Sequence, residues 1–197
     1  MTKEITFKCK CGDIELRIQG KMTHINCHCH SCVASVKCVE AKEGFDGISG
    51  LDHDGAAFTL VRGTNVEYPT DMSTDEARSK IGFVKVGEKG PHPRCYCTKC
   101  HTFVGAVAPS FVLLNRNALF NEDGSKFVAE GPVQNIMKKH AFDPSKVPEP
   151  SSSTAPFGLM MTFFPLIMGF GKKKGAKNAA FFPEDMAKVE VVPITWE

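Results

Sequence analysis

The spacing of the cysteines constrains this chain more than any other feature of its sequence. Seven of the nine cysteines fall into three clusters, namely Cys9 and Cys11 (CxC), Cys27, Cys29 and Cys32 (CxCxxC), and Cys97 and Cys100 (CxxC). In an extended strand, residues i and i+2 project from the same face, and a CxxC turn folds back on itself. Each cluster can therefore bring its sulfurs toward a single point.

Bound metal explains these cysteines better than disulfide pairing does. The count of cysteines is odd, and the CxC and CxxC spacings are typical of metal ligands. The first residues, "MTKEITFKCK", contain no apolar segment of the kind that leads a protein to an oxidising compartment. We therefore expect a reducing, cytoplasmic location.

Two clusters combine into one complete ligand set. Cys9 and Cys11 together with Cys97 and Cys100 supply the four thiolates that are typical of a structural zinc site. Such a site would close a chain segment of some ninety residues, and holding a long loop is what a structural metal does well. The cluster of Cys27, Cys29 and Cys32 lacks one ligand, which is the difference between a structural and a catalytic zinc site. We expect two zinc ions per chain, the second in an open site.

Two alternatives remain at this point. A fourth ligand for the middle cluster could come from four neighbouring or distant side chains, which are Cys38, His28, His30 and Cys95. That ligand would close the site and make it inert. The same cysteines could also hold an iron–sulfur cluster, because spacing alone does not choose the metal.

The rest of the chain is typical of a mainly β protein. Alternating or β-branched runs in the first 110 residues predict short strands at "ITFKC", "DIELRI", "AFTLVRG", "KIGFVKVG" and "TFVGAVA", without long periodic helices. Residues 132–142, "PVQNIMKKHAF", predict a short helix, and the final "VEVVPITWE" predicts one more strand.

We divide the chain into three parts. Residues 1–142 form the zinc-binding domain, residues 143–156 are a linker or long loop because they are rich in Pro and Ser, and residues 157–197 form a C-terminal extension. The extension begins with an apolar run over 157–171, which is shorter than the roughly 20 residues needed to cross a bilayer. We expect this run to pack on the domain or on a second subunit, so that the protein does not enter a membrane and could form a homo-oligomer.

Charge argues against a nucleic-acid partner. The 24 basic and 22 acidic side chains are spread along the 197 residues and leave a formal net charge of +2. A protein that binds a phosphate backbone usually carries a basic patch or stripe. The sequence shows none, and we expect small-molecule partners.

Four segments resemble the family of glutathione-dependent formaldehyde-activating enzymes, to which centromere protein V also belongs. They are "FKCKCGDIELRI", "NCHCHSC", "FTLVRGTNVEYP" and "RCYCTKCHTFVG", and the resemblance covers roughly residues 5–107. It implies a β-tent fold made of small antiparallel sheets with few short helices. It also implies a structural zinc on Cys9, Cys11, Cys97 and Cys100, and a second zinc on Cys27, Cys29 and Cys32, the same division that the spacing predicts.

The chain departs from the family pattern at three places. His101 stands where the family usually has Gly, Tyr96 stands where it usually has Phe, and "VASVKC" follows Cys32 in place of a basic run that ends in Ser-Gly. We expect these positions to lie beside the open zinc site. The chain from about residue 143 onward has no counterpart in the family.

The chemistry expected of the open site is thiol chemistry. Zinc held by three thiolates is electron-rich and acidifies water less than a three-histidine site does, but it suits a soft thiol ligand. The resemblance names glutathione and formaldehyde, which implies a carbon–sulfur lyase similar to S-(hydroxymethyl)glutathione synthase, with Cys27, Cys29 and Cys32 as its catalytic centre. Candidate cations for the thiol's carboxylates are Arg62, Arg94, Lys37 and Lys99. The alternative is a non-catalytic zinc-binding module that binds another protein.

Overall fold

The fold was examined in a computed structural model, which describes residues 4–67, 75–88, 93–107, 111–161, 183 and 185–192. The described residues contain thirteen strands arranged in two sheets, together with short helices. The mainly β class predicted from the sequence is confirmed.

The smaller sheet is a four-stranded antiparallel sheet. Its strands are β1 (Ile5–Lys8), β2 (Glu15–Ile18), β6 (Val66–Glu67) and β11 (Leu119–Asn121), in the order β11-β1-β2-β6. Burial follows the sequence alternation, because Ile5 and Phe7 of β1 are fully buried while Lys8 is exposed. Cys9 follows β1 directly, so the β1–β2 hairpin carries the first cysteine cluster at its turn.

The larger sheet has nine strands. They are β3 (Thr23–Cys27), β4 (Leu51–Asp52), β5 (Gly55–Arg62), β7 (Ile81–Val86), β8 (Arg94–Cys97), β9 (Phe103–Val107), β10 (Phe111–Asn115), β12 (Gln134–Ile136) and β13 (Glu190–Val192). Eight of them follow the order β12-β3-β5-β10-β9-β8-β7-β13, and β4 pairs with β5. All five sequence segments predicted as strands contain one.

Later parts of the chain complete both ends of this sheet. At one end β12 pairs in parallel with β3, and at the other β13 pairs in parallel with β7. The strand predicted in "VEVVPITWE" is therefore confirmed over Glu190–Val192, and residues 193–197 lie outside the described part. Because these strands join from residues far along the chain, local patterning does not predict their neighbours.

The large sheet is covered on both faces. Successive residues of its central strands belong to different apolar clusters, since Phe103 packs in one and Val104 in the other. The small sheet covers the first face through residues such as Phe7 and Leu16. Helix α1 (His30–Glu40) covers the second face with Val36 and Val39. Both cysteine groups lie at the margins of these two cores.

Helix α1 was not predicted from the sequence. Its apolar residues Val33, Val36 and Val39 recur every three positions, but Ser35 between them is also fully buried, so no clean polar face marks the helix. The second α-helix, α2 (Asp75–Ser79), is a short segment before β7. The helix here depends on packing against the sheet more than on its own pattern.

The helix predicted over residues 132–142 is wrong. Gln134–Ile136 forms strand β12, Met137 has a left-handed φ of +66°, and only Lys138–His140 forms a 3-10 turn. The open edge of β3 offers this segment a ladder of hydrogen bonds, and tertiary pairing overrides local preference. A left-handed residue at 137 also ends any regular helix there.

The division at residues 143–156 and 157–197 stays a prediction, but the positions of several side chains are clear. In the first segment Val147 is buried, and Ser151 bridges to Asn135 of β12. In the second, Leu159 packs in the core beneath α1, whereas Phe157 and Met160 are exposed. Residues 162–171 of the apolar run lie outside the described residues. In the part of the chain that is described, no helix has both the length and the apolar character needed to cross a bilayer.

Candidate metal centres

The four-cysteine centre joins two turns that are far apart in the chain. The Sγ atoms of Cys9, Cys11, Cys97 and Cys100 all lie within 4.8 Å of one another. Cys9 and Cys11 come from the β1–β2 turn, and Cys97 and Cys100 come from the end of β8 and the turn that follows. The Sγ of Cys11 is 3.5 Å from the Sγ of Cys9 and 3.5 Å from that of Cys97. The structure thus brings together the four residues that the spacing had grouped.

Backbone hydrogen bonds hold the first turn, which carries Cys9 and Cys11, in its conformation. The Cys9 amide donates to Ile14 O at 3.0 Å, and the Gly12 amide donates to Cys9 O at 3.0 Å. Gly12 has a φ of +82°, which a residue without a Cβ adopts without strain. The Ile14 amide also donates to the Cys9 Sγ at 3.2 Å, so the sulfur has a fixed position before any metal binds.

The second turn contains a strained residue. The Cys97 amide donates to Thr102 O at 3.0 Å, the His101 amide donates to Cys97 O at 2.9 Å, and His101 has a left-handed φ of +56°. Glycine adopts this conformation freely, which accounts for the glycine that the resembling family usually has there. The backbone of His101 belongs to the four-cysteine turn, while its ring lies 6.0 Å from that of Tyr96, so its expected position beside the open site stays a prediction.

Thr102 connects the two turns and was missed by the sequence analysis. This residue is fully buried, and its Oγ1 accepts hydrogen bonds from the amides of Lys10 and Ile48 at 3.2 and 3.1 Å. The same hydroxyl lies 3.2 Å from the Cys100 Sγ. The signal available in the sequence was a threonine two residues after the CxxC motif.

The sulfur separations fit a metal ion. Zinc bound to four sulfurs at about 2.3 Å separates neighbouring sulfurs by about 3.8 Å, whereas a disulfide holds them at about 2.05 Å. The separations of 3.5 Å between the Sγ of Cys11 and those of Cys9 and Cys97 lie close to the first value. Burial raises the pKa of Cys11 to about 11, and the hydrogen bond to Cys9 raises the pKa of Cys97. A metal ion binding here would therefore displace protons from thiols.

The three-cysteine centre is formed at the junction of β3 and α1. Cys27 ends the strand, Cys29 is the N-cap of the helix, and Cys32 lies in its first turn. Their Sγ atoms lie within 4.8 Å of one another, and those of Cys27 and Cys29 are 3.4 Å apart. Cys27 and Cys32 are buried, while Cys29 is partly exposed. Among the described residues, Cys29 is the member of the trio with the greatest exposure to solvent.

Neither candidate cysteine supplies a fourth ligand to this group. The Sγ of Cys38 lies 3.7 Å from a carboxylate oxygen of Glu190 on strand β13. The Cys95 thiol donates to Gly105 O at 3.4 Å and packs in the core on the other face of the sheet.

The two candidate histidines also have other partners. The Nε2 of His28 lies 3.3 Å from Asn135 Oδ1, and its ring is buried. The ring of His30 stacks on Phe142 with 4.3 Å between centroids. Among the residues that the structure describes, no further Cys, His, Asp or Glu joins the trio. Within the described part of the chain, this centre therefore offers three candidate ligands where the other offers four.

The charge of the trio is concentrated on its accessible sulfur. Hydrogen bonds from Cys27 and Cys32 lower the pKa of Cys29 to about 2, and the hydrogen bond to Cys29 raises the pKa of Cys27. Ser31 Oγ lies 3.4 Å from the Cys29 Sγ and adds a polar contact that the sequence analysis missed. A cation binding here would therefore displace protons from the thiols.

The candidate cations are divided between the two centres. The hydrogen bond to Cys29 and burial raise the pKa of Cys32 to about 11, and the positive charge of Arg94 opposes this rise without overcoming it. Lys99 pairs with Asp13 at 3.6 Å beside the four-cysteine centre, and Arg62 is exposed at the end of β5. Arg94 is the candidate that the structure brings to the open centre.

A small cleft lies along α1, and the residues that line it do not include the three cysteines of the open centre. It has a volume of about 140 Å³, and its lining includes His28, Val33, Lys37, Phe142 and Lys146. The Lys37 ammonium lies 5.8 Å from the centre of the Phe142 ring. The cleft is large enough for a few small-molecule atoms and places one of the candidate lysines at its wall.

A buried polar network adjoins the open centre at Asn26, the residue before Cys27. Arg116 Nη2 donates to Asp52 Oδ2 at 2.6 Å and to Asn26 Oδ1 at 2.8 Å. Asn26 in turn donates to Asn135 Oδ1 at 3.3 Å, and the same oxygen contacts His28. These residues are up to 109 positions apart, so no local pattern in the sequence predicts the network.

Tyr96, the second departure from the family pattern, packs on the core face that contains the three cysteines. Its ring lies 5.2 Å beneath the Lys42 ammonium and 6.0 Å from the His101 ring. Tyr96 therefore lies between the two centres.

Two comparisons with known proteins find no relative of this chain. A scan against models of protein families finds no match, and a search of curated protein sequences finds none either. What can be stated of the protein is that two cysteine groups could each hold a metal ion.

Proposed function

We propose that this protein is a zinc-dependent carbon–sulfur lyase or synthase that adds a glutathione-like thiol to a small aldehyde such as formaldehyde, or catalyses the reverse cleavage. The observation that carries the proposal is the difference between the two centres. One group has four cysteines, and the other has three cysteines with no further candidate ligand among the described residues. Zinc sites with three protein ligands can accept a substrate as the fourth.

The residues fit zinc and the proposed chemistry. Cys27, Cys29 and Cys32 would hold the ion, which would lower the pKa of a bound thiol while leaving its sulfur nucleophilic. In the overall reaction the thiol sulfur forms a bond to the aldehyde carbon, the π bond of the carbonyl opens, and the thiol proton ends on oxygen. The resemblance to formaldehyde-activating enzymes, carried by the cysteine motifs, favours this reaction over hydrolysis.

The chain's own groups would orient the thiol. Arg94, whose positive charge favours the Cys32 thiolate, would attract a carboxylate of a peptide thiol, whereas the cleft along α1 holds Lys37 and Lys146 together with Asp54 and Asp143 and so has no excess of positive charge. The Ser31 hydroxyl, next to Cys29, can hold a proton close to the sulfur. Burial of Cys27 and Cys32 excludes water from the inner side of the site.

The proposal is tested by exchange NMR. The rate of exchange between formaldehyde and glutathione is measured with the zinc-loaded full chain and with two variants, Cys29→Ser and Cys38→Ser. We expect acceleration with the wild type and with Cys38→Ser, whose thiol lies beside Glu190 away from the trio, and no acceleration with Cys29→Ser.

X-ray absorption gives an independent measurement. Adding glutathione should change the sulfur coordination of the zinc in the wild type but not in Cys29→Ser. If no protein sample accelerates the exchange and the coordination does not respond to thiol, the lyase proposal is wrong. That result would favour the alternative, a non-catalytic zinc-binding module for protein interaction.

A further inference from the structure

Two of the three sulfurs at the open centre have the arrangement of a redox pair. Cys29 and Cys32 form a CxxC motif, "CHSC", that spans the start of α1. The amides of Cys32 and Val33 both donate to Cys29 O at 3.1 Å, which closes the backbone into the first helical turn. A disulfide requires two Cα atoms about 4.4–6.8 Å apart, and one turn at the start of a helix meets that requirement. With the sulfurs within 4.8 Å, side-chain rotation is enough to join them.

The two sulfurs differ in access. Cys29 is partly exposed at the N-cap, whereas Cys32 is only 7% exposed and packs in the core beneath the helix. A small disulfide in solution can therefore reach Cys29 but not Cys32. This difference assigns the attacking role to Cys29 and the resolving role to Cys32.

Cys27 is less suited to the resolving role, although its sulfur is also close to Cys29. Its backbone pairs with Ala56 on one side and with Ile136 on the other. A bond between Cys27 and Cys29 would close a small ring across His28, and the ring of His28 is buried and hydrogen-bonded to Asn135. The strand cannot shift to relieve the strain of such a ring.

We propose that Cys29 and Cys32 of the metal-free centre form a dithiol–disulfide couple that reacts with small disulfides, an activity beyond the proposed lyase function. The Cys29 sulfur attacks one sulfur of the disulfide RSSR, which forms a mixed disulfide and releases one thiol RSH. The Cys32 sulfur then attacks the Cys29 sulfur, which forms the Cys29–Cys32 disulfide and releases the second RSH. The protein loses two electrons and two protons, and RSSR gains both.

The couple and the metal compete for the same sulfurs. A thiolate that has joined a disulfide no longer binds an ion, so oxidation and metal binding exclude each other at this centre. In the CxxC pair of the four-cysteine centre, Cys97 and Cys100 are both buried, so a small disulfide finds no accessible sulfur in that pair. The redox state would then decide whether the open centre can hold its metal.

The test uses the full chain with zinc removed from the open centre by a mild chelator. The probe is 2-hydroxyethyl disulfide, whose lack of charge makes the reaction independent of any glutathione-binding site. Intact and tandem mass spectrometry measure adducts and locate disulfides in the wild type and in four variants, Cys29→Ser, Cys32→Ser, Cys27→Ser and the matched control Cys38→Ser. Circular dichroism verifies that each variant is folded.

We expect the wild type, Cys27→Ser and Cys38→Ser to form the Cys29–Cys32 disulfide. Cys32→Ser should stop at the mixed disulfide on Cys29, and Cys29→Ser should form neither that mixed disulfide nor the internal disulfide, whatever adduct the partly exposed Cys38 carries. Saturating zinc should slow the reaction of the wild type.

Three results would overturn the proposal. They are an internal Cys27–Cys29 disulfide in Cys32→Ser, loss of the internal disulfide in folded Cys27→Ser, and equal rates with and without zinc. The exchange NMR assay of the proposed lyase uses the zinc-loaded protein and no disulfide, so each proposal can fail without the other.

Discussion

The four-cysteine centre and the three-cysteine centre use the same side chain but connect different lengths of chain. In the first, Cys11 and Cys97 are 86 positions apart and come from the turns of different sheets. In the second, the three ligands lie within six consecutive residues at one strand–helix junction. A metal in the first centre therefore closes a long loop, and a metal in the second restrains little that the backbone has not already fixed.

This difference predicts that the four-cysteine centre serves stability and that the three-cysteine centre serves chemistry. The four-cysteine centre holds three buried sulfurs and links the hairpin of the small sheet to the large sheet. Each centre has one partly exposed cysteine, Cys11 or Cys29, but the three-cysteine centre lies at a single strand–helix junction and packs against a buried network centred on Arg116 and Asn135. Removing one ligand from each centre should thus have unequal consequences, and the following variants test that inequality.

The largest effect is expected for Cys97→Ser. Structural zinc sites contribute folding free energy on the order of 10 kcal/mol, so losing one of four thiolates should destabilise the chain by several kcal/mol. Thermal unfolding and metal analysis measure the effect, with Cys38→Ser as the control. If Cys97→Ser unfolds at the same temperature as the control, the four-cysteine centre does not stabilise the fold.

Thr102→Val comes next in size. The variant leaves the amides of Lys10 and Ile48 without their buried acceptor, which should cost about 2–4 kcal/mol in the free energy of unfolding. The matched control is Thr98→Val, because the Thr98 hydroxyl is exposed and donates only to Ser79 O. Urea unfolding compares the two variants. If both lose the same free energy of unfolding, the Thr102 hydroxyl does not link the two turns.

A pair of variants at His101 should have a smaller effect. Valine, being β-branched, resists the left-handed φ of +56°, so His101→Val should lose about 1–2 kcal/mol. Glycine adopts this φ freely, and His101→Gly should stay within about 1 kcal/mol of the wild type. Both are measured by urea unfolding. If valine were tolerated better than glycine, the turn would not depend on its left-handed residue.

The smallest effect on stability is expected for Cys29→Ser. The sulfur is partly exposed and closes no long loop, so the free energy of unfolding should change by less than about 1 kcal/mol. The zinc content should nevertheless fall from two ions per chain to one. Collapse of this variant together with Cys97→Ser would mean that both centres are structural, which would contradict the open-site interpretation.

Much of the candidate site could be predicted because ligand spacing is local. The CxC, CxCxxC and CxxC patterns specify which sulfurs lie close together, and strand alternation predicts segments such as "ITFKC" and "KIGFVKVG". The helix predicted over 132–142 is wrong because β3 offers that segment a pairing edge, which no local pattern records.

The number of ligands at the second centre needed the folded chain. Cys38 is six residues from Cys32, but its sulfur lies beside Glu190, a residue 152 positions away on the last described strand. Likewise the orientation of His28 depends on Asn135, which β12 brings to β3 from 107 positions away.

The sequence by itself determined that this is a mainly β chain and that seven of its cysteines form one group of four and one group of three. Both could be predicted because the alternation of side chains along a strand and the spacing of ligands are patterns of a few residues. Only the tertiary structure decided that Cys38, His28, His30 and Cys95 stay away from the trio and that Thr102 links the two turns of the closed centre. The physical reason is that a side chain's partners are chosen by packing and hydrogen bonding among strands that meet from distant parts of the chain.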